Sequence, residues 1–169
     1  MYNAFAFKKL TVAEVKEFMA LLQKRLDRKK FPRVPVKVVT KYEPGLYVQK
    51  DSYTVIKFMV NLPALHVKYG PTYSEMKYIA VKIHKEYDSG SLREEPKFNS
   101  FKWKDLHFVK YWAEIKTDCG VRQYKRSKDE EAMHLPYDSD VELLYRTRNL
   151  DTMAREMSKS LVATLETRR

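Results

Sequence analysis

The sequence predicts an α+β domain: an N-terminal helix, a small antiparallel meander sheet, two further packed helices and a C-terminal helical arm. Three observations carry this. A helix-start signature, Thr11 followed three residues later by Glu14, opens a stretch whose apolar residues recur three and four apart. Valine- and tyrosine-rich segments between Val34 and Leu62 alternate apolar and polar and are punctuated by turn residues. Beyond them, apolar residues again recur at helical spacing, ending with Met153, Met157, Leu161 and Leu165.

The first helix runs from the Thr11–Glu14 capping box to about Phe31, where Pro32 stops it. Its apolar face is Val12, Val15, Phe18, Met19, Leu22 and Leu26, and its end carries Lys24, Arg25, Arg28, Lys29 and Lys30. Cations in a last turn suit the helix dipole. Val34 to Tyr42 reads as a strand with Lys37 and Lys41 on one face. Glu43-Pro44-Gly45-Leu46 fits a type II turn, Leu46 to Lys50 returns, and Tyr53 to Leu62 makes a third strand before Pro63.

A second capping box, Thr72 with Glu75, predicts a helix burying Met76, Ile79, Ala80, Ile83 and Tyr87, with Asp88-Ser89-Gly90 as its stop. Residues 89–100 read as a polar loop. Phe101 to Lys128 predicts one long helix with Phe101, Phe108, Trp112, Ile115 and Cys119 toward the core and a basic end past Gly120. The charge then switches at Lys128/Asp129. Ser139 and Glu142 propose a third capping box for the C-terminal helix or helix pair. These signals divide the chain into a body, 1–131, and an arm, 132–169, within one domain.

At 169 residues, 44% hydrophobic and 33% charged, the chain is long enough to bury a core unaided. No apolar run approaches the roughly 20 residues of a membrane span, and MYNAFAFKKL carries no cleavable-signal pattern. Cys119 is the one cysteine, which excludes an internal disulfide. A cytoplasmic setting is expected, or a virion if the protein is viral. The net charge is +11, and residues 1–60 hold 13 basic against 5 acidic side chains. Such a field attracts phosphate polymers such as nucleic acid, acidic protein surfaces or anionic membrane, of which nucleic acid or another polyanion is the expected partner and membrane is not.

Catalytic chemistry finds little support. There is no G-x-S-x-G elbow, P-loop or G-x-G-x-x-G, and Cys119 falls on an apolar face. On helices, His84 and Asp88, four apart, would point the same way, and Glu114 or Asp118 on the next helix would supply a third ligand. That plan, over roughly Tyr53 to Arg126, resembles zincin-type metallopeptidases. The resemblance implies a metal-dependent hydrolase, but the chain reads His84-Lys85-Glu86-Tyr87-Asp88 where the family has H-E-x-x-H. Lys85 stands in the place of the water-activating glutamate and Asp88 in that of the second histidine. The polar row His107, Tyr111, Glu114 and Asp118 spans about 16 Å along a helix and cannot converge on one atom. No metal and no cofactor are expected.

What remains is lysine and arginine interleaved with tyrosine. Lys29, Lys30, Arg33, Lys37, Lys41, Lys50 and Lys57, with Arg122, Lys125 and Arg126, are the candidate phosphate contacts, and Tyr42 and Tyr47 the candidate stacking rings. The bland account of the same residues is tyrosines covering core edges and lysines keeping an edge strand soluble. The sequence thus points to a non-enzymatic, basic accessory protein that binds nucleic acid or another polyanion. A structural subunit of a larger assembly, such as a viral particle or head–tail joint using the C-terminal arm for a protein partner or self-assembly, is the rival reading. A divergent zincin-like hydrolase is the third.

Overall fold

A computed structural model describes residues 5–44, 50–70, 77–90, 106–117 and 141–167. They form six strands and three helices: β1 (Phe5–Lys8), α1 (Val12–Arg28), β2 (Val36–Glu43), β3 (Asp51–Met59), α2 (Pro63–Tyr69), β4 (Tyr78–Asp88), β5 (His107–Thr117), β6 (Val141–Thr147) and α3 (Leu150–Thr167). The fold is mixed α and β, and mostly sheet. One antiparallel sheet runs in the order β2-β3-β4-β5-β6, with β1 on β4.

Two predicted helices are therefore strands. The helix expected after Thr72 is β4, and the long helix expected over 101–128 is, in its described part, β5. In β4, Ile79, Val81 and Ile83 alternate, and their spacing of two was hidden because Ile79 and Ile83 also fit a helical step of four. In β5, Tyr111, Ala113 and Ile115 alternate within a segment rich in β-branched and aromatic residues. Each of these strands gains ladder partners on both sides, a tertiary context that outweighs local helical spacing. The meander is altered too. β2 pairs directly with β3 through Val36↔Phe58 to Glu43↔Asp51, and the strand expected at 46–50 falls mainly outside the described residues. The Thr72–Glu75 box lies outside them as well. Glu142, expected at a helix start, sits in β6.

The first helix has the expected capping box, but β1 precedes it, it ends at Arg28, and Val12, expected on its apolar face, is 74% exposed. Thr11 accepts from the Glu14 N–H at 3.1 Å and Glu14 Oε1 accepts from the Thr11 N–H at 2.9 Å. At its other end, Phe31 N donates to Leu26 O and Lys30 N to Asp27 O, a Schellman motif in which Lys30 holds the left-handed position, φ 55°.

All three helices lie on one face of the sheet. Phe18, Leu22 and Leu26 of α1, Leu65 of α2, and Met153, Met157, Leu161 and Leu165 of α3 share a core with Ile56, Phe58, Ile79, Val81, Ile83, Ala113 and Ile115. The four-step row of α3 is therefore core, and the C-terminal helix packs onto the body. Its start is capped by Asn149 Oδ1, which accepts from the N–H of Asp151 at 2.8 Å. β1 leads in along β3: the N–H groups of Phe7, Lys9 and Leu10 donate to Asp51, Ser52 and Thr54 side chains. No helix among the described residues is long and apolar enough to cross a membrane.

Candidate functional site

Strand alternation decides what the other face of the sheet displays. Residues opposite each other in register share a face, so Lys37, Val39 and Lys41 of β2 stand with Tyr53, Val55 and Lys57 of β3. Ala80, Lys82, His84 and Glu86 of β4 continue the row, followed by Lys110, Trp112 and Glu114 of β5 and Arg146 of β6. None of the described helices covers this face.

Its centre is aromatic. His84 lies 4.5 Å from Phe7, 5.0 Å from Tyr53 and 5.6 Å from Trp112, ring centre to ring centre, and is stacked on the indole at 25°. β1 delivers Phe7 to this cluster because Phe7 pairs with Glu86. Trp112 Nε1 donates to Glu86 at 2.7 Å, which fixes the indole. Cations stand over the rings: Lys82 is 4.1 Å from the Tyr53 ring centre, Arg146 4.5 Å from Trp112 and Lys57 4.7 Å from Tyr78. Tyr78 and Trp112 are half-buried, whereas Lys37, Lys41 and Arg146 are exposed.

His84 is 5% exposed, and neither ring nitrogen has a hydrogen-bond partner among the described residues. Burial, helped by nearby Lys82, pushes its pKa down to about 4, so the ring is neutral at physiological pH. Tyr53 is pushed up to about 12 by burial and by the carboxylates of Glu43 and Asp51. Lys37 and Lys57 are directly opposed across β2 and β3, a like-charge pair of the kind that weakens a sheet.

The structure brings Lys37, Lys41 and Lys57 together on this face. It places the other candidates elsewhere. Tyr42 is on the helix side of β2, 56% exposed, with Lys9 and Lys50 at 5.8 and 5.6 Å from its ring centre. Lys29, Lys30 and Arg33 belong to the end of α1, where Arg33 pairs with Asp27 at 3.1 Å. Tyr47, Asp118, Arg122, Lys125 and Arg126 lie outside the described residues. The metal constellation fails on geometry: His84 and Asp88 are four residues apart on a strand, about 13 Å along it, and not one helical turn apart. Glu114 shares the face of His84 but is opposite Lys82. Among the described residues no group of three or more His, Cys, Asp or Glu side chains is placed to hold a metal ion.

Phe7, Tyr78, Lys82 and Arg146 escaped the sequence reading, and Trp112, expected toward the core of a helix, stands beside His84 on the other face of the sheet. Their signal was the alternation Ala80, Lys82, His84, Glu86 against Ile79, Val81, Ile83, legible only once β4 is taken as a strand.

No known protein family matches the chain, and neither a curated protein nor a solved structure aligns with it.

Proposed function

We propose that the protein is a non-enzymatic binder of single-stranded nucleic acid that uses the sheet face opposite its described helices. The observation that supports this reading is the set of aromatic rings on that face, Phe7, Tyr53, Tyr78 and Trp112, set among Lys37, Lys41, Lys57, Lys82 and Arg146. Bases stack on half-buried aromatic rings at the floor of a basic surface, and backbone phosphates take the surrounding cations. In this reading Trp112 and Tyr78 stack, and Lys37, Lys41 and Lys57 neutralise phosphate. The test is fluorescence anisotropy with a labelled single strand and a duplex of equal length. Trp112→Ala and Tyr78→Ala should weaken single-strand binding by about 1–3 kcal/mol per ring and leave duplex binding little changed. Lys37→Glu with Lys41→Glu should weaken both. Single-strand binding untouched by all four changes would refute the proposal.

The assembly reading keeps one observation of its own. β2 is an edge strand in which Val36 and Val38 are exposed beside Lys37 and Lys41, the kind of border to which another strand adds. A concentration series by sedimentation velocity tests it: a monomer at every concentration removes self-assembly through this edge.

A further inference from the structure

A second basic site lies on the opposite side of the molecule, in the helical layer. The end of α1 and the middle of α3 enclose a cleft of about 320 Å³ lined by Arg25, Arg28, Lys29, Arg155, Ser158 and Lys159. Five of these six side chains are cations. Their carboxylate partners are few. Arg25 pairs with Asp151 at 3.2 Å, and Arg155 and Lys159 share Glu156 at 3.4 Å each. Arg28 and Lys29 make no ion pair among the described residues. Five positive charges therefore face two carboxylates.

Helix-dipole compensation accounts for only part of the cluster, Arg25 and Arg28 in the last turn of α1. The carbonyls at the end of α1 already have a cation, since Lys68 Nζ donates to Lys29 O at 2.7 Å and to Lys30 O. Arg155 and Lys159 sit within α3, away from its ends, where the dipole gives no reason for them. The arrangement is also unsuited to an apolar ligand. Gathering cations around a concave space costs repulsion that a bound anion relieves more fully than solvent and salt do. The surplus of three charges exceeds what one orthophosphate carries, and the volume lies at the lower end of small-ligand sites. Arginine forks match phosphate oxygens in pairs.

We infer that this cleft binds a compound carrying two or more linked phosphate groups. Arg28 and Lys29 supply the free charges, Arg155 and Lys159 close the opposite wall, and the buried Ser158 forms a small floor; its hydroxyl is committed to Arg155 O at 2.8 Å. The inference does not rest on the nucleic-acid reading, because the cleft belongs to the helical layer and not to the sheet face opposite the described helices.

Isothermal titration of the full chain with inorganic tripolyphosphate, orthophosphate and sulfate at constant ionic strength tests it. Tripolyphosphate should bind one per chain, and orthophosphate and sulfate about tenfold or more weaker, since each loses charged hydrogen bonds. Arg28→Gln with Lys29→Gln, both on exposed positions, should weaken tripolyphosphate by about tenfold or more with no change in thermal midpoint or single-strand affinity. Equal binding of sulfate and tripolyphosphate, no saturable binding, or an unaffected double variant would overturn the inference. So would tripolyphosphate competing with single-stranded DNA while the double variant loses DNA affinity, because the cleft would then be part of a nucleic-acid path. Loss of DNA binding through Trp112 or Lys37 and Lys41 leaves this result untouched, so the two proposals fail separately.

Discussion

His84 sits in a cage of Phe7, Tyr53 and Trp112 with both nitrogens unpartnered among the described residues, an omission worth about 1–3 kcal/mol against folding. Its pKa near 4, against an ordinary 6.5, means the unfolded chain takes up the proton first as pH falls. The stability held by neutral His84 is complete above about pH 6.5 and is lost progressively below it, on the order of 3 kcal/mol by pH 4. His84→Phe should flatten urea midpoints between pH 6.5 and 4 and raise stability at pH 5; an unchanged pH profile would show the ring is not buried neutral. A second residue-scale device joins helix to sheet. Glu14 Oε1 accepts from Lys85 Nζ at 2.8 Å and Oε2 from the Tyr111 hydroxyl at 2.7 Å, besides capping α1. Burial pushes the Glu14 carboxyl up, but the bonds from Lys85, Thr11 and Tyr111 outweigh it and hold it below 4.5. Its contribution is therefore present above that pH and lost as pH falls through its lowered pKa, below most of the His84 window. Glu14→Ala strands the buried Lys85 ammonium and should cost about 3–5 kcal/mol. Adding Lys85→Met should recover part of that loss in a denaturant-melt double-mutant cycle. A strictly additive cycle would mean the pair is not coupled.

At the scale of elements, the end of α1 stores strain. Lys30 occupies the left-handed position of the Schellman motif, φ 55°, where a side chain costs about 1 kcal/mol or more relative to glycine. Lys30→Gly should raise the chemical-denaturation free energy by about 1 kcal/mol; destabilisation would show that the Lys30 side chain holds the turn. This helix was readable from its letters because its signals are local: the capping box, the apolar row and Pro32 act within a turn or two. The strands β2 and β3 were partly readable for the same reason, through their alternating valines; the turn expected at Glu43-Pro44-Gly45-Leu46 runs outside the described residues after Pro44. β4 and β5 were not: Ile79 and Ile83 satisfy helical spacing and strand alternation alike, and Phe108, Trp112 and Ile115 fit a helical face although Trp112 and Ile115 stand on opposite faces of β5. What decides is the neighbouring strand, information that lies tens of residues away. The candidate site suffered with them. Lys37, Lys41 and Lys57 were found from local alternation, but Lys82, Trp112 and Arg146 join them only through the sheet.

For the whole molecule, the two layers divide its charge. The sheet face opposite the described helices carries Lys37, Lys41, Lys57, Lys82 and Arg146 around its rings, and the helical layer carries Arg25, Arg28, Lys29, Arg155 and Lys159 around the cleft. Net charge alone, +11, would give nonspecific attraction from any side. Two localised clusters give something measurable: the number of phosphates that each neutralises. If a single strand lies on the sheet face and meets all five of its cations, log affinity should fall against log salt with a slope of about −3.5, at about −0.7 per contact. Glu43 pairs with Lys82 at 3.8 Å, so that contact is the one most weakened by competition, which would bring the slope nearer about −2.8. Lys37→Gln with Lys41→Gln should then reduce its magnitude by about 1.4. Arg28→Gln with Lys29→Gln should leave it unchanged, because a strand on the sheet does not reach the helical layer. Anisotropy titrations across a series of potassium chloride concentrations read all three slopes. A slope insensitive to the sheet lysines but reduced by the helix pair would move nucleic acid to the other side of the molecule.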